Sequence, residues 1–87
     1  MSIVGFISCT PSTQIKWGVT GGTLGVLCEY SETESFIDYW GASANPRTIT
    51  VSNRAKYVKA TFQTSRLYYA YIYDVTNATY LWKGSKV

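Results

Sequence analysis

The 87-residue chain contains no histidine and only two cysteines, Cys9 and Cys28. Without histidine there is no His-based catalytic triad and no imidazole metal ligand. Two thiolates are too few for a four-ligand zinc site. No nucleophile–base motif is present, and no local pattern brings the carboxylates of Glu29 and Asp38 together. We therefore expect a protein that is not an enzyme and that needs no cofactor or metal.

Long apolar runs are also missing. No segment approaches the roughly 20 apolar residues that cross a bilayer, and residues 1–9 lack the basic start and apolar stretch of a signal peptide. We expect no membrane span, and synthesis in the cytoplasm without a signal peptide. Cys9 and Cys28 can form one disulfide or stay as free thiols, and a reducing cytoplasm favours free thiols.

Charged residues make up only 15% of the chain and are unevenly distributed. The net charge is +3, but residues 1–40 carry −3 and residues 41–87 carry +6. Such asymmetry can steer an anionic partner, or pair the acidic segment of one copy with the basic segment of another. The alternative is an ordinary soluble surface with scattered charges.

Aromatic and β-branched residues are abundant, whereas the helix formers leucine, glutamate and glutamine are scarce. Alternating apolar and polar positions between turn residues predict strands at residues 3–9, 13–19, 23–30, 36–40, 47–52, 55–63, 66–74 and 79–83. This pattern predicts one all-β domain over residues 1–87. We expect a small antiparallel β-sandwich or jelly-roll-like barrel of seven to eight short strands. A five-stranded oligonucleotide-binding barrel is the second choice.

Two hairpins are expected. Gly21-Gly22 is predicted to turn the second strand onto the third. A two-residue loop at 76–77 would join the last two strands. In that register the buried residues of one strand face buried residues of the other, and exposed residues face exposed ones. The pairs that this register predicts are Ile72 with Tyr80, Ala70 with Trp82, Tyr71 with Leu81, and Tyr69 with Lys83.

The most distinctive segment is the predicted tyrosine strand, residues 66–74. Its inward stripe would be Tyr68, Ala70, Ile72 and Asp74, and its outward stripe Tyr69, Tyr71 and Tyr73. Tyr57 and Lys59 would flank the outward stripe from a neighbouring strand, with Lys83 opposite it. These six residues are the predicted protein interface, although the outward stripe can also be a recognition surface or a solvated sheet stabilised by cross-strand pairs.

A sugar site is predicted near the fourth strand. Trp17, Trp40 and Trp82 all lie on apolar alternations that favour a place in the core, but Trp40 adjoins a loop of small residues. An aromatic ring can cover the apolar face of a sugar while carboxylate, amide and guanidinium groups bond its hydroxyls. The residues predicted to do so are Asp38, Trp40, Asn45 and Arg47.

Basic and aromatic residues alternate between positions 54 and 69, as in proteins that bind single-stranded nucleic acid. Lys56 and Lys59 have opposite parity on their strand, so they do not share a face. This pattern therefore disfavours a nucleic-acid partner, which ranks third.

Three segments, AKYVKATF (55–62), AYIYDVTN (70–77) and YLWKG (80–84), resemble C-terminal β-sandwich modules of phage tail-fibre and receptor-binding proteins. The resemblance implies a jelly-roll-like fold, self-association, for which a trimer is one arrangement, and a surface glycan as ligand. We therefore expect a non-enzymatic recognition and assembly module of a phage virion or cell surface. A purely structural homo-oligomer resembling a virion decoration protein is the alternative, and a single-stranded nucleic-acid binder comes third.

Overall fold

Strands account for most of the computed structural model, which describes all 87 residues. Their bounds are β1 Ser2–Ser8, β2 Gln14–Val19, β3 Leu24–Tyr30, β4 Phe36–Trp40, β5 Arg47–Thr50, β6 Tyr57–Phe62, β7 Ala70–Asp74 and β8 Thr79–Lys83. One 3₁₀ helix, Thr64–Tyr69, lies between β6 and β7. No helix has the length and hydropathy that crossing a membrane requires.

The strands form two four-stranded antiparallel sheets. Sheet A has the order β1-β6-β3-β4, and sheet B has the order β5-β2-β7-β8. The predicted all-β sandwich is thereby confirmed, with eight strands.

The core lies between the sheets and follows from the period-two alternation. Sheet B contributes Ile15 and Trp17, and sheet A contributes Val58 and Phe62, all without exposed surface. The Trp17 indole Nε1–H donates to the Gly25 carbonyl at 3.2 Å, which links a strand of sheet B to one of sheet A. Burial of these side chains supplies the main stabilisation.

The predicted hairpin of the second and third strands is wrong. Strand β2 pairs with β5 and β7, whereas β3 pairs with β4 and β6. The Gly21-Gly22 turn instead carries the chain from sheet B to sheet A. Distant side chains hold it there: Asn45 Nδ2 donates to the Val19 and Gly22 carbonyls, and Arg66 donates to the Thr20 carbonyl.

The predicted tyrosine strand is too long, because residues 64–69 form the 3₁₀ helix and only Ala70–Asp74 is extended. Tyr68, expected inside, is 63% exposed, while Ala70, Ile72 and Asp74 are buried as predicted. Tertiary contacts outweigh the β propensity of this segment. The Arg66 guanidinium lies 4.2 Å from the Tyr69 ring centroid, and the Tyr68 carbonyl accepts from the Lys86 N–H at 2.9 Å.

The predicted register of the last hairpin is also wrong. The observed pairs are Tyr71 with Lys83, Ile72 with Trp82, Tyr73 with Tyr80, and Asp74 with Thr79, with a bulge between Ile72 and Tyr73. Asp74 is only 1% exposed and accepts hydrogen bonds from Asn77 N (2.9 Å) and Nδ2 (2.8 Å). This side-chain turn widens the loop to residues 75–78, where Ala78 has a φ of 53°. As a result Tyr80 moves to the outer face.

Candidate functional site

The outer surface of sheet B carries a compact group of side chains, Lys16, Tyr71, Tyr73, Tyr80 and Lys83, which we call the tyrosine face. Cross-strand pairing places them in two adjacent rows. One row is Lys16, Tyr73 and Tyr80, and the next is Gly18, Tyr71 and Lys83. The two lysines therefore occupy opposite corners of the group, with the tyrosines between them.

The tyrosine rings pack edge to face. Tyr80 lies 4.8 Å from Tyr73 and 6.2 Å from Tyr71, measured between ring centroids. The Lys16 Nζ lies 5.5 Å from the Tyr73 ring centroid, and the Lys83 Nζ lies 5.2 Å from that of Tyr80. Lys16 and the three tyrosines line an open depression of about 460 Å³.

Gly18 makes room for one of these rings. A Cβ at this position would lie 2.8 Å from the Tyr71 hydroxyl, so the end of the Tyr71 side chain packs directly over the glycine. Burial raises the pKa of the Tyr71 phenol, and neighbouring Tyr80 adds to the effect. A phenol is already neutral at physiological pH with its ordinary pKa, so the Tyr71 hydroxyl can donate and accept hydrogen bonds there.

The tyrosine face has positive charge and no acidic side chain. Among the four strands of sheet B the only carboxylate is Asp74, which points inward and is buried. The exposed acids Glu32, Glu34 and Asp38 all lie on β4 or in the loop before it, in the other sheet. An anion at the tyrosine face therefore meets two ammonium groups without local repulsion.

The outer surface of sheet A carries a second group, Phe6, Tyr30, Phe36, Tyr57 and Lys59, which we call the aromatic face. Phe6 lies 4.8 Å from Tyr30 and 6.0 Å from Tyr57, and Tyr30 lies 6.0 Å from Phe36, between ring centroids. The Lys59 Nζ sits 4.1 Å from the Phe6 centroid and 5.2 Å from that of Tyr30. One ammonium thus lies above a continuous row of rings.

Much of this surface is open to solvent. Phe36 is 58% exposed, and the neighbouring Tyr39 and Ile3 of the same sheet are 62% and 68% exposed. Cys28 pairs with both Lys59 and Tyr39, and burial raises the pKa of its thiol. Cys9 and Cys28 are both free.

The aromatic face is not among the sequence predictions. In β3 a strict alternation would put Leu24 on the same face as Val26, Cys28 and Tyr30, but Leu24 is buried while Val26 is exposed. The β3–β6 register shifts between Leu24 and Leu27, which turns Leu27 inward and leaves Val26 37% exposed. Gly25, inside the strand, is the available sequence signal, because glycine within a strand often marks a bulge. A Cβ there would lie only 1.8 Å from the Thr61 hydroxyl oxygen.

The six residues of the predicted interface do not form one surface. Tyr57 and Lys59 belong to the aromatic face of sheet A, whereas Tyr71, Tyr73 and Lys83 belong to the tyrosine face of sheet B. Tyr69 lies in the 3₁₀ helix, where Arg66 packs against its ring. The expectation that Tyr57 and Lys59 flank the tyrosine stripe is wrong, because β6 and β7 are in different sheets.

Of the predicted sugar ligands, Trp40 and Arg47 lie together. The Arg47 guanidinium is 5.7 Å from the Trp40 ring centroid, and its Nη1 donates to the Gly41 carbonyl. The Trp40 indole Nε1 donates to Glu29 Oε2. Both polar groups therefore already have partners inside the protein.

Asn45 and Asp38 also bond to the protein's own backbone. Asn45 Oδ1 accepts from the Val19 N–H at 3.0 Å, and its Nδ2 donates to the Val19 carbonyl at 2.9 Å. Asp38 is exposed, and its Oδ1 accepts from the Tyr39 N–H. A sugar bound through these four residues would compete with the bonds that hold β2 and the loop after β4. Their role as sugar ligands stays a prediction.

None of the protein-family models, curated proteins or solved structures compared with this chain matches it. Function therefore has to be inferred from the two outer faces themselves.

Proposed function

We propose that the protein is a non-enzymatic contact module of a phage virion or cell surface, which associates with a second copy of itself and recognises an external ligand. The aromatic face is the observation that carries the proposal. Exposed rings that contact one another across a sheet form a contiguous apolar patch of the kind that marks an interaction site. Aromatic residues are enriched in the centres of such contacts.

Charge supports a second copy as the occupant. Lys59 lies on β6 within the aromatic face, and the exposed acids Glu32 and Glu34 lie in the loop before β4, at the edge of the same sheet. A two-fold axis would bring the lysine of each copy towards the acidic edge of the other. Such an arrangement would make the contact self-complementary, as a two-fold interface requires.

The mass in solution tests this part of the proposal. We expect light scattering at high micromolar concentration to give a dimer for the native protein and a monomer for Phe36→Ser. Tyr68→Ser is the matched control, because Tyr68 is 63% exposed against 58% for Phe36 but lies in the 3₁₀ helix, outside the aromatic face. Phe36→Ser should therefore shift the mass while Tyr68→Ser leaves it unchanged.

A strictly monomeric native protein would refute self-association, and so would a Phe36→Ser protein that keeps the native mass. A trimer, as the tail-fibre resemblance implies, would replace the two-fold arrangement but keep the contact role.

A further inference from the structure

We infer that the tyrosine face is a binding site for an acidic saccharide, that is, a sugar bearing a carboxylate. This inference rests on the recognition role proposed above and names the ligand class. It concerns a surface on the opposite side of the sandwich from the self-association contact, so the two can fail separately.

The shape and lining of the site suit a sugar unit. The depression of about 460 Å³ falls within the range of small-ligand sites, roughly 300–1,000 Å³. Its walls are phenol rings, which offer apolar surface to the C–H groups of a sugar, and three hydroxyls, which can donate to or accept from sugar hydroxyls. Tyrosine does this at low cost in conformational entropy, because it has few rotatable bonds.

The charges indicate a carboxylate on the ligand. Lys16 and Lys83 stand at opposite corners of the site, and no acidic side chain from sheet B reaches its outer surface. An ammonium donates up to three hydrogen bonds and accepts none, so it prefers an anionic oxygen. Lys16 pairs across the strands with Thr48 on its other side, which adds a hydroxyl rather than a competing carboxylate.

Single-stranded nucleic acid fits these observations less well. Such ligands stack their bases flat on aromatic faces and run their phosphates along a basic groove. Here the three rings pack edge to face, at interplanar angles of 89° and 69°, so they do not form the flat row on which successive bases stack. The basic residues that alternate with aromatics in the sequence are also divided between surfaces, since Lys59 lies on the aromatic face and Arg66 packs on Tyr69.

Calorimetric titration of the full chain with uronate and sialate oligosaccharides, and with the methyl esters of the same compounds, tests the inference. The ester keeps the sugar's hydroxyls and C–H faces and replaces the carboxylate by a neutral group that is one methyl larger. We expect the acid to bind at least about tenfold more tightly than its ester, because the lost contact is charge-assisted. We expect Lys16→Gln to reduce that difference, because Lys16 lines the depression, whereas Lys83 at the opposite corner remains.

Variants locate the site. Tyr80→Ser, at a residue 46% exposed, should weaken binding of the acid about tenfold or more without unfolding the sheet. Lys86→Gln is the matched control, because Lys86 is an exposed lysine outside the tyrosine face. Circular dichroism of each variant confirms that the fold is intact.

The inference is overturned if none of the acidic oligosaccharides binds, if acid and ester bind equally, or if Lys86→Gln weakens binding as much as Lys16→Gln. Tighter binding of oligothymidylate than of every acidic sugar would assign the face to nucleic acid instead. Because Phe36→Ser acts on the opposite face, it should lose the dimer but keep the sugar. That outcome separates failure of this site from failure of the self-association proposal.

Discussion

Replacing Trp40 by phenylalanine would remove one donor from a buried carboxylate. Glu29 is 1% exposed, and its two oxygens accept from the Trp40 indole Nε1–H and, at 2.7 Å, from the Ser52 N–H. Neither donor carries a charge, so the carboxylate is held by hydrogen bonds to neutral groups. Phenylalanine keeps an aromatic ring beneath Arg47 but leaves Glu29 Oε2 without its partner.

The expected cost follows from two effects. A hydrogen bond to a charged group contributes about 1.5–3 kcal/mol, and a buried group left unpaired costs its desolvation in full. The smaller ring loses apolar contact worth about 1 kcal/mol. Together these effects predict a decrease of about 2.5–4 kcal/mol in the free energy of unfolding. For a domain of this size the melting temperature should fall by roughly 10–30 °C.

Urea denaturation followed by tryptophan fluorescence and by circular dichroism measures the change. The matched control is Trp82→Phe, since Trp82 packs by stacking on Phe62 at 5.8 Å and is likewise half-buried. That control loses the same ring without weakening a buried carboxylate, so we expect about 1 kcal/mol. Equal losses for the two variants would refute the reasoning. The result also bears on the sugar site that the sequence predicts around Trp40, as opposed to the tyrosine face. A Trp40 variant that unfolds would lose ligand binding for structural reasons.

Two further changes test the packing and the electrostatics. Gly25→Ala should lower the free energy of unfolding by about 2 kcal/mol or more, because its Cβ would lie 1.8 Å from the Thr61 hydroxyl that accepts from the Val26 N–H. Gly41→Ala, where a Cβ meets nothing within 4 Å, should change it by less than about 0.5 kcal/mol. Cys9→Ala should make the loss of stability at alkaline pH shallower. Burial, followed by the Glu29 and Asp74 carboxylates, raises the pKa of this thiol from 9.0 to about 11.

The sign for Cys9 follows from which state ionises first. Between about pH 9 and 11 the unfolded thiol loses its proton while the folded thiol keeps it, so stability falls as the pH rises. Urea midpoints across this range measure the slope, with exposed Ser8→Ala as a non-titrating control. A Cys9→Ala slope equal to that of the native protein would contradict the assigned cause.

For Gly25→Ala, a decrease in the free energy of unfolding no greater than that of Gly41→Ala would contradict the close approach to Thr61.

Alternation along the sequence determined where the strands lie, except at residues 64–69, which form the 3₁₀ helix, and it determined for most strands which side chains are buried. Ile15, Trp17 and Val19 form one inward stripe, and Ala70 and Ile72 contribute to another, as period-two reasoning predicts. These predictions succeed because the side-chain direction in a strand is a local property of the backbone. The free thiols also agree with the favoured alternative.

Pairing, bulges and the division of the aromatic residues between two surfaces were decided by the tertiary structure. The Gly21-Gly22 turn is compatible with a hairpin, yet bonds from Asn45 and Arg66, distant in sequence, direct it across the sandwich. The extra residues near Gly25 in β3 and at Leu81 in β8 reverse the alternation along those two strands. Each of these outcomes depends on contacts between residues far apart in the chain, which no local pattern encodes. The same contacts bring Lys16 beside Tyr73 and so create the tyrosine face.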